Sequence, residues 1–421
     1  KGERYVVRLD IQFTNQSSLP IQRLGYYVNA GSAAPIHSTD LPLYTRFDWY
    51  REGRMRSIDV NWFSPGQIPI LGIQTRPARE IYTETTQNIS WVAVTSQYFC
   101  TILTSLDKSG VSVWARRFDT KRSSDHPVYG IQGGLGVSGF ELQPGQSTSI
   151  QFMIYAGPKE LAALQALKGE QDAVMNFGWF GWVSEFLLWA MNRLHRVLGN
   201  YAGAIILLTI LIKLALWPIQ NHSTQSMRKM SLLAPKMQEL RDKYKDNPQK
   251  MNEELMKLYK EYGINPFSGC LPLFIQIPIF FGFYSMLGVA IELRNASFLW
   301  IADLSQPDTV AHILGIPINL LPLIMTATML WQIGITPKTG DPVQQRIFYF
   351  MPVLFLIFCY NYASALSLYW TTQNLFSIFQ LYLTRNQPLP TLEKKSVVAK
   401  RALAEAKKST KKSKSKTPRQ L

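Results

Sequence analysis

Cysteine is scarce in this chain of 421 residues, which contains only Cys100, Cys270 and Cys359. Their spacing fits neither a disulfide framework nor a zinc site. The first half also lacks paired carboxylates and clustered metal ligands, and His37 and His126 stand alone in turn-rich sequence. We therefore expect no catalytic centre, no metal and no cofactor.

Acidic residues are also in the minority, because 28 Asp and Glu stand against 44 Lys and Arg and leave a net charge of +16. The surplus lies in 222–263 and in the tail after Arg385, and both segments flank apolar runs. This distribution is typical of cytoplasmic segments of membrane proteins, so a membrane interpretation precedes a nucleic-acid one. The length predicts more than one domain.

The apolar run at 201–218 contains a single charged residue, Lys213. A helix that crosses a bilayer needs about 20 apolar residues. A cation near the middle of such a helix costs roughly 2.5–3.5 kcal/mol. We therefore expect Lys213 to face protein or a water-filled cavity. The alternative is that its side chain snorkels to the headgroups near Pro218.

Polar residues share a helix face with Lys213 and recur in the last apolar run. Thr209 precedes Lys213 by one turn, and Trp217 and Gln220 follow it. Gln276 and Gln332 add polarity to two other runs. The last run carries a polar stripe flanked by Tyr369, Trp370 and Gln373: Ser364, Ser367, Thr371, Asn374 and Ser377. The stripes predict walls of a wet cavity. Alternatively, they are hydrogen-bonding contacts between helices, with Thr209 bound to its own backbone.

Residues 1–157 alternate between apolar and polar side chains in short runs, which is the period of a half-buried strand. Such runs begin near Tyr5 and recur at 58–63, 89–95, 98–103, 111–118 and 150–155, separated by turn residues such as Gly133-Gly134. They predict an all-β sandwich that serves in binding or spacing. Residues 158–200 predict a linker and an amphipathic helix in the membrane interface. The alternative is a helix buried beneath the sandwich.

The rest of the chain predicts an α-helical polytopic membrane core at 201–385. The five expected spans are about 201–219, 274–293, 314–335, 347–360 and 365–383. Between the first two, 222–263 predicts a cytoplasmic helical hairpin, whose Met residues either accept apolar partners or join the two arms. The basic tail at 386–421 predicts disorder and suits anionic lipid or RNA. The distribution of Lys and Arg places the β-domain outside and the tail in the cytoplasm.

The second half of the chain carries motifs that are specific when taken together. They are Asn265-Pro266, Gly269-Cys270-Leu271-Pro272, Ile275-Gln276-Ile277-Pro278-Ile279-Phe280, Glu292-Leu293-Arg294, Phe298–Leu304, Asp341-Pro342, Gln344-Gln345 and Phe350-Met351-Pro352. On these residues the chain resembles the YidC/Oxa/Alb family of membrane-protein insertases, over about 157–385. The residues before 157 look like the C-terminal part of the periplasmic domain of Gram-negative members. The family has a further N-terminal span, so we expect the chain to be truncated at its N-terminus.

The resemblance implies a five-helix core in a bacterial inner membrane, with a hydrophilic groove in the inner leaflet. The family usually has Arg in the groove, whereas this chain has Lys213, which lacks the bidentate fork. Thr209, Gln276, Tyr369 and Trp370 fall at groove or substrate-contact positions, and Trp370 stands where some members have Tyr.

The resemblance also implies nascent membrane proteins as substrates and the Sec translocon as a partner. We further expect a ribosome to meet the basic tail and the hairpin, and anionic lipids to meet the tail. Insertion requires no covalent chemistry, so we expect a protein that is not an enzyme. Three other functions remain open: a transporter or channel with Lys213 as an anion site, an enzyme whose sandwich acts on sugars, and a passive scaffold.

Overall fold

The computed structural model describes residues 4–37, 40–67, 74–121, 127–265, 268, 271–337 and 342–385. The predicted basic tail at 386–421 lies outside these residues. So do His126 and four residues of the sequence motifs: Pro266, Gly269, Cys270 and Asp341.

Strands occupy the N-terminal part, as their alternating patterns predict. In chain order they are β1 (Val6–Thr14), β2 (Ile21–Ala33), β3 (Arg46–Arg51), β4 (Arg54–Asp59), β5 (Gly66–Gln67), β6 (Gln74–Arg76), β7 (Ile81–Thr95), β8 (Phe99–Ser105), β9 (Gly110–Asp119), β10 (Tyr129–Leu142) and β11 (Ser147–Pro158). Nine of them form one antiparallel sheet in the order β1-β11-β8-β7-β9-β10-β2, with β3 on β7 and β4 on β3. β5 and β6 pair separately.

The sheet folds over at β7, which makes it a sandwich. The first part of β7 pairs with β9, whereas Trp91–Thr95 pairs with β8 on one side and β3 on the other. The register shifts between Thr85 and Ile89, where Asn88 has a φ of +63°. Such an irregularity bends a strand. One apolar core, which includes Phe47, Val92, Leu103, Leu135 and Phe152, fills the space enclosed.

Two details of this domain differ from the sequence-based expectation. Gly133-Gly134, predicted as a turn, lies inside β10 at a register shift. A Cβ at Gly133 would lie 2.5 Å from the ring of Phe47, so glycine is needed there for close packing rather than for a turn. The run at 58–63 is a strand only to Asp59, whose side chain then caps the 3-10 helix Val60–Phe63.

A connector of short helices follows the sheet: α1 (Leu161–Gln165), two 3-10 turns and α2 (Gly181–Leu198). α2 is amphipathic, because it buries Leu187, Leu188 and Met191 and exposes Trp182 and Trp189. Its placement in the membrane interface stays a prediction.

The chain divides into two compact units. The first comprises residues up to Leu188 together with Tyr284–Arg294, and the second comprises Trp189–Phe283 and the residues from Asn295 onward. The Gln97 side chain donates a hydrogen bond to the Gly288 carbonyl at 2.9 Å, and the Arg294 guanidinium lies over the Phe99 ring. These contacts explain why 284–294 belong with the sheet.

The described residues after α2 contain seven further helices, with one β-hairpin among them. They are α3 (Tyr201–Ala215), α4 (Trp217–Lys243), α5 (Pro248–Tyr262), α6 (Leu271–Val289), α7 (Leu320–Ile335), α8 (Pro342–Cys359) and α9 (Ser364–Arg385), and the hairpin strands are β12 (Thr309–Ile313) and β13 (Ile316–Asn319). An all-β sandwich followed by a helical region is therefore confirmed as the fold class.

The helices do not match the predicted spans in detail. Among the described residues, α6 alone is long and apolar enough to cross a membrane as a single helix. α3 and α4 pass the same test only as a pair bent by 61°. α7 begins at Leu320 rather than at Leu314, because Ile316–Asn319 pairs as a strand with Thr309–Ile313. The count of five spans stays a prediction.

α4 and α5 form the predicted helical hairpin. A small core of Met230, Leu233, Met237, Leu255 and Ile264 joins its two arms. The most buried methionines therefore hold the arms together, whereas Met256 remains exposed.

Candidate functional site

Lys213 lies in the last turn of α3, which packs against α9. Its Nζ donates a hydrogen bond to Ser377 Oγ at 3.1 Å, and Ser377 Oγ in turn donates to the Gln373 carbonyl at 2.9 Å. In the described part of the chain no carboxylate forms an ion pair with Lys213. An ammonium has three hydrogens to donate, so this cation retains the capacity to bind another acceptor.

The bend between α3 and α4 creates the space beside Lys213. Pro218 stands at the start of α4, where it has no N–H to donate to the Leu214 carbonyl and its ring crowds the preceding turn. The helix therefore breaks at Leu216, and Trp217 and Gln220 do not continue the face of Lys213 on one straight helix. A small open pocket results, lined by Lys213, Leu216, Ile219, Gln220, Pro272, Ile275 and Gln276.

Gln276 connects this pocket to the interior of the helical unit. Its Nε2 donates a hydrogen bond to Tyr369 Oη at 2.7 Å. The Tyr369 ring stacks on Phe283 with 4.0 Å between ring centroids, and only 1% of the residue is exposed. Tyr369 therefore supports the wall behind Gln276 and is not itself open to solvent.

Trp370 contacts a different set of side chains. Its ring meets Phe280 edge-on at 5.1 Å and Phe355 at 4.5 Å. Its Nε1 is buried and has no hydrogen-bond acceptor among the described residues. Since an unpaired buried donor costs about 1–3 kcal/mol, this group is available to a carbonyl that enters between the aromatic rings.

Of the predicted site residues, Lys213 and Gln276 line the pocket, whereas Tyr369, Trp370 and Thr209 do not. Thr209 is 1% exposed, and its hydroxyl donates to the Ile205 carbonyl at 2.7 Å. A hydroxyl on a helix satisfies itself in this way when it is packed away from water. Lys213, Gln276 and Tyr369 are thus brought together, and Trp370 lies beside Tyr369.

The polar stripe of α9 divides into two parts. Asn374 joins helices, because its Nδ2 donates to Thr328 Oγ1 at 3.1 Å and to the Met325 carbonyl at 3.3 Å. By contrast, Ser367 Oγ, Thr371 Oγ1 and Gln380 Nε2 are buried with no partner among the described residues. These atoms need water or an incoming polar group.

Sequence reasoning did not single out Ser377 as the partner of Lys213. The stripe contained Ser377, but helical periodicity gives the face of one helix and not which residue of another helix it meets. The pocket likewise includes Pro272 and Ile275, which have no polar signal.

Together, the fold and the site define a class: a large all-β domain followed by a helical part that contains a helix of membrane-spanning length and buried polar atoms, such as Ser367 Oγ, with no partner among the described residues. The family model described as YidC periplasmic domain matches residues 1–190, and the one described as 60Kd inner membrane protein matches residues 193–390.

Several curated relatives carry the name membrane protein insertase YidC. The one from Syntrophobacter fumaroxidans is 38% identical over 301 residues, 70% of this chain and 53% of its own. The relative from Nitratidesulfovibrio vulgaris is 39% identical over 389 residues, which are 90% of this chain and 66% of the relative. The relative from Pelobacter propionicus is 31% identical over 390 residues, which are 91% of this chain and 68% of the relative. The chain therefore belongs to the YidC family of inner-membrane proteins.

The chain spans 53% to 68% of the length of these relatives. A solved structure described as an active YidC insertase with the first transmembrane domain resolved is 20% identical to it. That match covers 89% of this chain and 94% of the other, with a TM-score of 0.40.

Proposed function

We propose that this chain acts as a membrane-protein insertase: it takes polar segments of nascent membrane proteins into the pocket beside Lys213 and releases their apolar segments into lipid. The relatives carry that name. The observation that carries the proposal is a cation in an apolar helix with one described hydrogen bond and no described ion pair.

Lys213 attracts acidic residues of the incoming segment. Gln220 and Gln276 line the same pocket and offer amide groups that replace part of the water lost by that segment. Ser367, Thr371 and Gln380 have buried polar atoms with no partner among the described residues, which favours a wet interior along α9. A polar segment therefore crosses part of the membrane at a lower desolvation cost than in lipid.

The apolar segment follows by partitioning. Trp370, which is partly exposed, lies in the aromatic wall along which it slides, and the buried Tyr369 supports that wall from behind. Burial of apolar area in lipid supplies the driving force, and the membrane potential adds roughly 2.3 kcal/mol per charge per 100 mV. No bond is made or broken, so the protein is not an enzyme.

The surrounding assembly is part of the same proposal. The domains are the sheet domain at 1–157, the linker and interfacial helix at 158–200, the membrane core at 201–385 and the tail at 386–421. The sheet domain lies in the periplasm and the tail in the cytoplasm. The α4–α5 hairpin receives the substrate. The tail meets the ribosome or anionic lipid, and the Sec translocon is a partner.

Insertion of a single-span substrate into proteoliposomes tests the role of Lys213. We expect Lys213→Met to lose insertion of a substrate whose translocated segment is acidic and to retain that of a neutral counterpart, whereas Lys213→Arg retains both. Lys108→Met, an exposed charge loss in the sheet domain, is the matched control. Equal insertion of both substrates by Lys213→Met would contradict the proposal.

Photo-crosslinking adds a spatial test. A crosslinker at position 220 or 276 should capture the nascent chain, and one at 209 should not, because Thr209 is packed and bonded to its own helix. Capture from 209 alone would place the path further towards the N-terminal end of α3, away from the pocket.

A further inference from the structure

An apolar hairpin precedes α7. Residues 309–319 contain no Asp, Glu, Lys or Arg. Three large apolar residues at its tip are exposed, Ile313 (59%), Leu314 (97%) and Ile316 (60%), and so is Val310 (48%) near the start of β12. Leu314 is almost fully open, although exposure of leucine to water is unfavourable.

The turn makes this leucine more unusual. Ile313 pairs with Ile316, so Leu314 and Gly315 alone form the turn. Their φ angles are +53° and +79°, the combination of a type I′ turn. That turn favours Asn followed by Gly, and a leucine with positive φ is strained. Local backbone preference therefore does not explain the leucine, and its side chain needs another reason to be there.

The base of the hairpin is fixed to the ends of two helices. Asn319 directly precedes α7, and its Nδ2 donates to the Tyr360 carbonyl just after α8 at 2.6 Å. Tyr360 Oη donates to the Pro317 carbonyl at 2.6 Å, and Thr309 Oγ1 bonds to Asn319 Oδ1 at 2.6 Å. The tip thus projects from a defined point at the N-terminal end of α7.

A half-exposed tryptophan is connected to the same N-terminal end of α7. Trp300 is 44% exposed, and its Nε1 donates to Asp308 Oδ2 at 3.0 Å. The same carboxylate oxygen accepts from the Leu321 backbone N–H at 2.6 Å, in the first turn of α7. An aromatic ring held at the end of an apolar helix is typical of the membrane–water interface.

α7 is also short for a membrane span. Its 16 residues measure about 24 Å, against about 30 Å of hydrocarbon. Apolar surface at one of its ends offsets this mismatch without a longer helix.

We propose that the tip of the β12–β13 hairpin is a membrane wedge, which inserts Leu314 and its neighbours among the acyl chains of the leaflet at the N-terminal end of α7. Lipid is the occupant because the hairpin continues into an apolar helix and its tip presents no charge by which a protein partner would be selected. The inference rests on the proposed membrane placement of α7.

Collision accessibility of a spin label tests the wedge in the whole chain reconstituted in lipid nanodiscs. The three cysteines are replaced by alanine, and a single cysteine at position 313 carries the nitroxide. Reference labels stand at Phe281 on α6 and at Leu19 in the sheet domain, which are 46% and 70% exposed. We expect the label at 313 to be accessible to oxygen and shielded from a water-soluble nickel chelate, like the label at 281.

The matched variant is Leu314→Asn, which suits the turn and should keep the fold. In this variant we expect the nickel accessibility of the 313 label to rise to that of the label at 19. Leu24→Asn changes a leucine of β2 that is about as exposed as Leu314, and it should leave the nickel accessibility of the 313 label unchanged.

A water-accessible label at 313 beside a lipid-exposed label at 281 would overturn the wedge alone. Shielding of the 313 label from both oxygen and nickel would show contact with protein and would overturn it too. A water-accessible label at 281 would overturn the membrane placement of the helices, and with it both proposals.

Discussion

Replacement of Lys159 by methionine should stabilise the sheet domain. Lys159 follows β11, is fully buried, and its backbone N–H donates to the Tyr98 carbonyl at 2.8 Å. Its Nζ has no hydrogen-bond partner among the described residues. The charged groups near it are Arg46 and Asp48, which form a buried ion pair at 3.2 Å, and the thiol of Cys100 is a further neighbour.

Burial, followed by the charge of Arg46, lowers the pKa of Lys159 from 10.5 to about 7, while Cys100 and Asp48 oppose this shift. The difference corresponds to roughly 5 kcal/mol against the charged form. Between about pH 7 and 10.5 the folded domain holds a neutral amine and the unfolded chain a charged one, so unfolding takes up a proton. The free energy of unfolding therefore rises with pH in this window and is flat below it.

Methionine has a similar length and no charge, so the variant removes the cost of burying the amine. We expect it to raise the free energy of unfolding by several kcal/mol at pH 7 and below, with a smaller gain towards about pH 10. The rise with pH that we expect of the original chain should disappear.

Cys100 supplies the assay, because this 4% exposed thiol reacts only when the domain opens. The rate of alkylation in nanodiscs, divided by that of an unfolded peptide at the same pH, gives the free energy of opening. Cys270 and Cys359 are replaced by alanine. Lys168→Met, an exposed lysine of the connector, is the control and should change nothing. Faster alkylation in Lys159→Met, or an unchanged pH slope, would refute the reasoning.

Three further predictions follow from buried contacts. Arg46→Met leaves the carboxylate of Asp48 buried without its cation, so we expect about 3–5 kcal/mol of destabilisation in the same assay, part of which Asp48→Asn restores; no restoration would argue against the ion pair. Tyr369→Phe removes the acceptor of Gln276, and a double-mutant cycle with Gln276→Leu, measured by thermal unfolding in nanodiscs, should give about 1 kcal/mol of coupling rather than none. Burial raises the pKa of Asp308 above 3.8, so the free energy of unfolding should fall as pH rises from 3.8 through the folded-state pKa, and Asp308→Asn should abolish this slope in thermal unfolding curves.

The periodicity of the sequence predicted many of the strands and helices, but not where they begin, end or bend. Alternation in 89–95 and 111–118 predicted strands, because the side chains of a strand alternate between the core and the opposite face. It did not predict that β7 begins at Ile81 and bends near Asn88, since a bend depends on which strands pair with each part. The glycines of β10 were misleading, because glycine serves close packing as well as turns.

In the candidate site, too, the sequence predicted which residues are unusual but not how they pack. A single lysine in an apolar run, with Gln276, Tyr369 and Trp370 elsewhere, was visible as a polar exception. Thr209 shared the helical face of Lys213, yet it bonds to Ile205, because position on a face does not reveal how closely the neighbouring helix packs.

The sequence alone determined the class of each region, the charge asymmetry, the family motifs and the presence of a cation where apolar residues are expected. These are local properties, set by residue type and spacing. The tertiary structure alone decided that Lys213 meets Ser377, that Gln276 meets Tyr369 and that the Lys159 amine is buried with no hydrogen-bond partner among the described residues. Each of these depends on segments far apart in the chain, whose approach is fixed by packing and by the break at Leu216, and not by the periodicity of either segment.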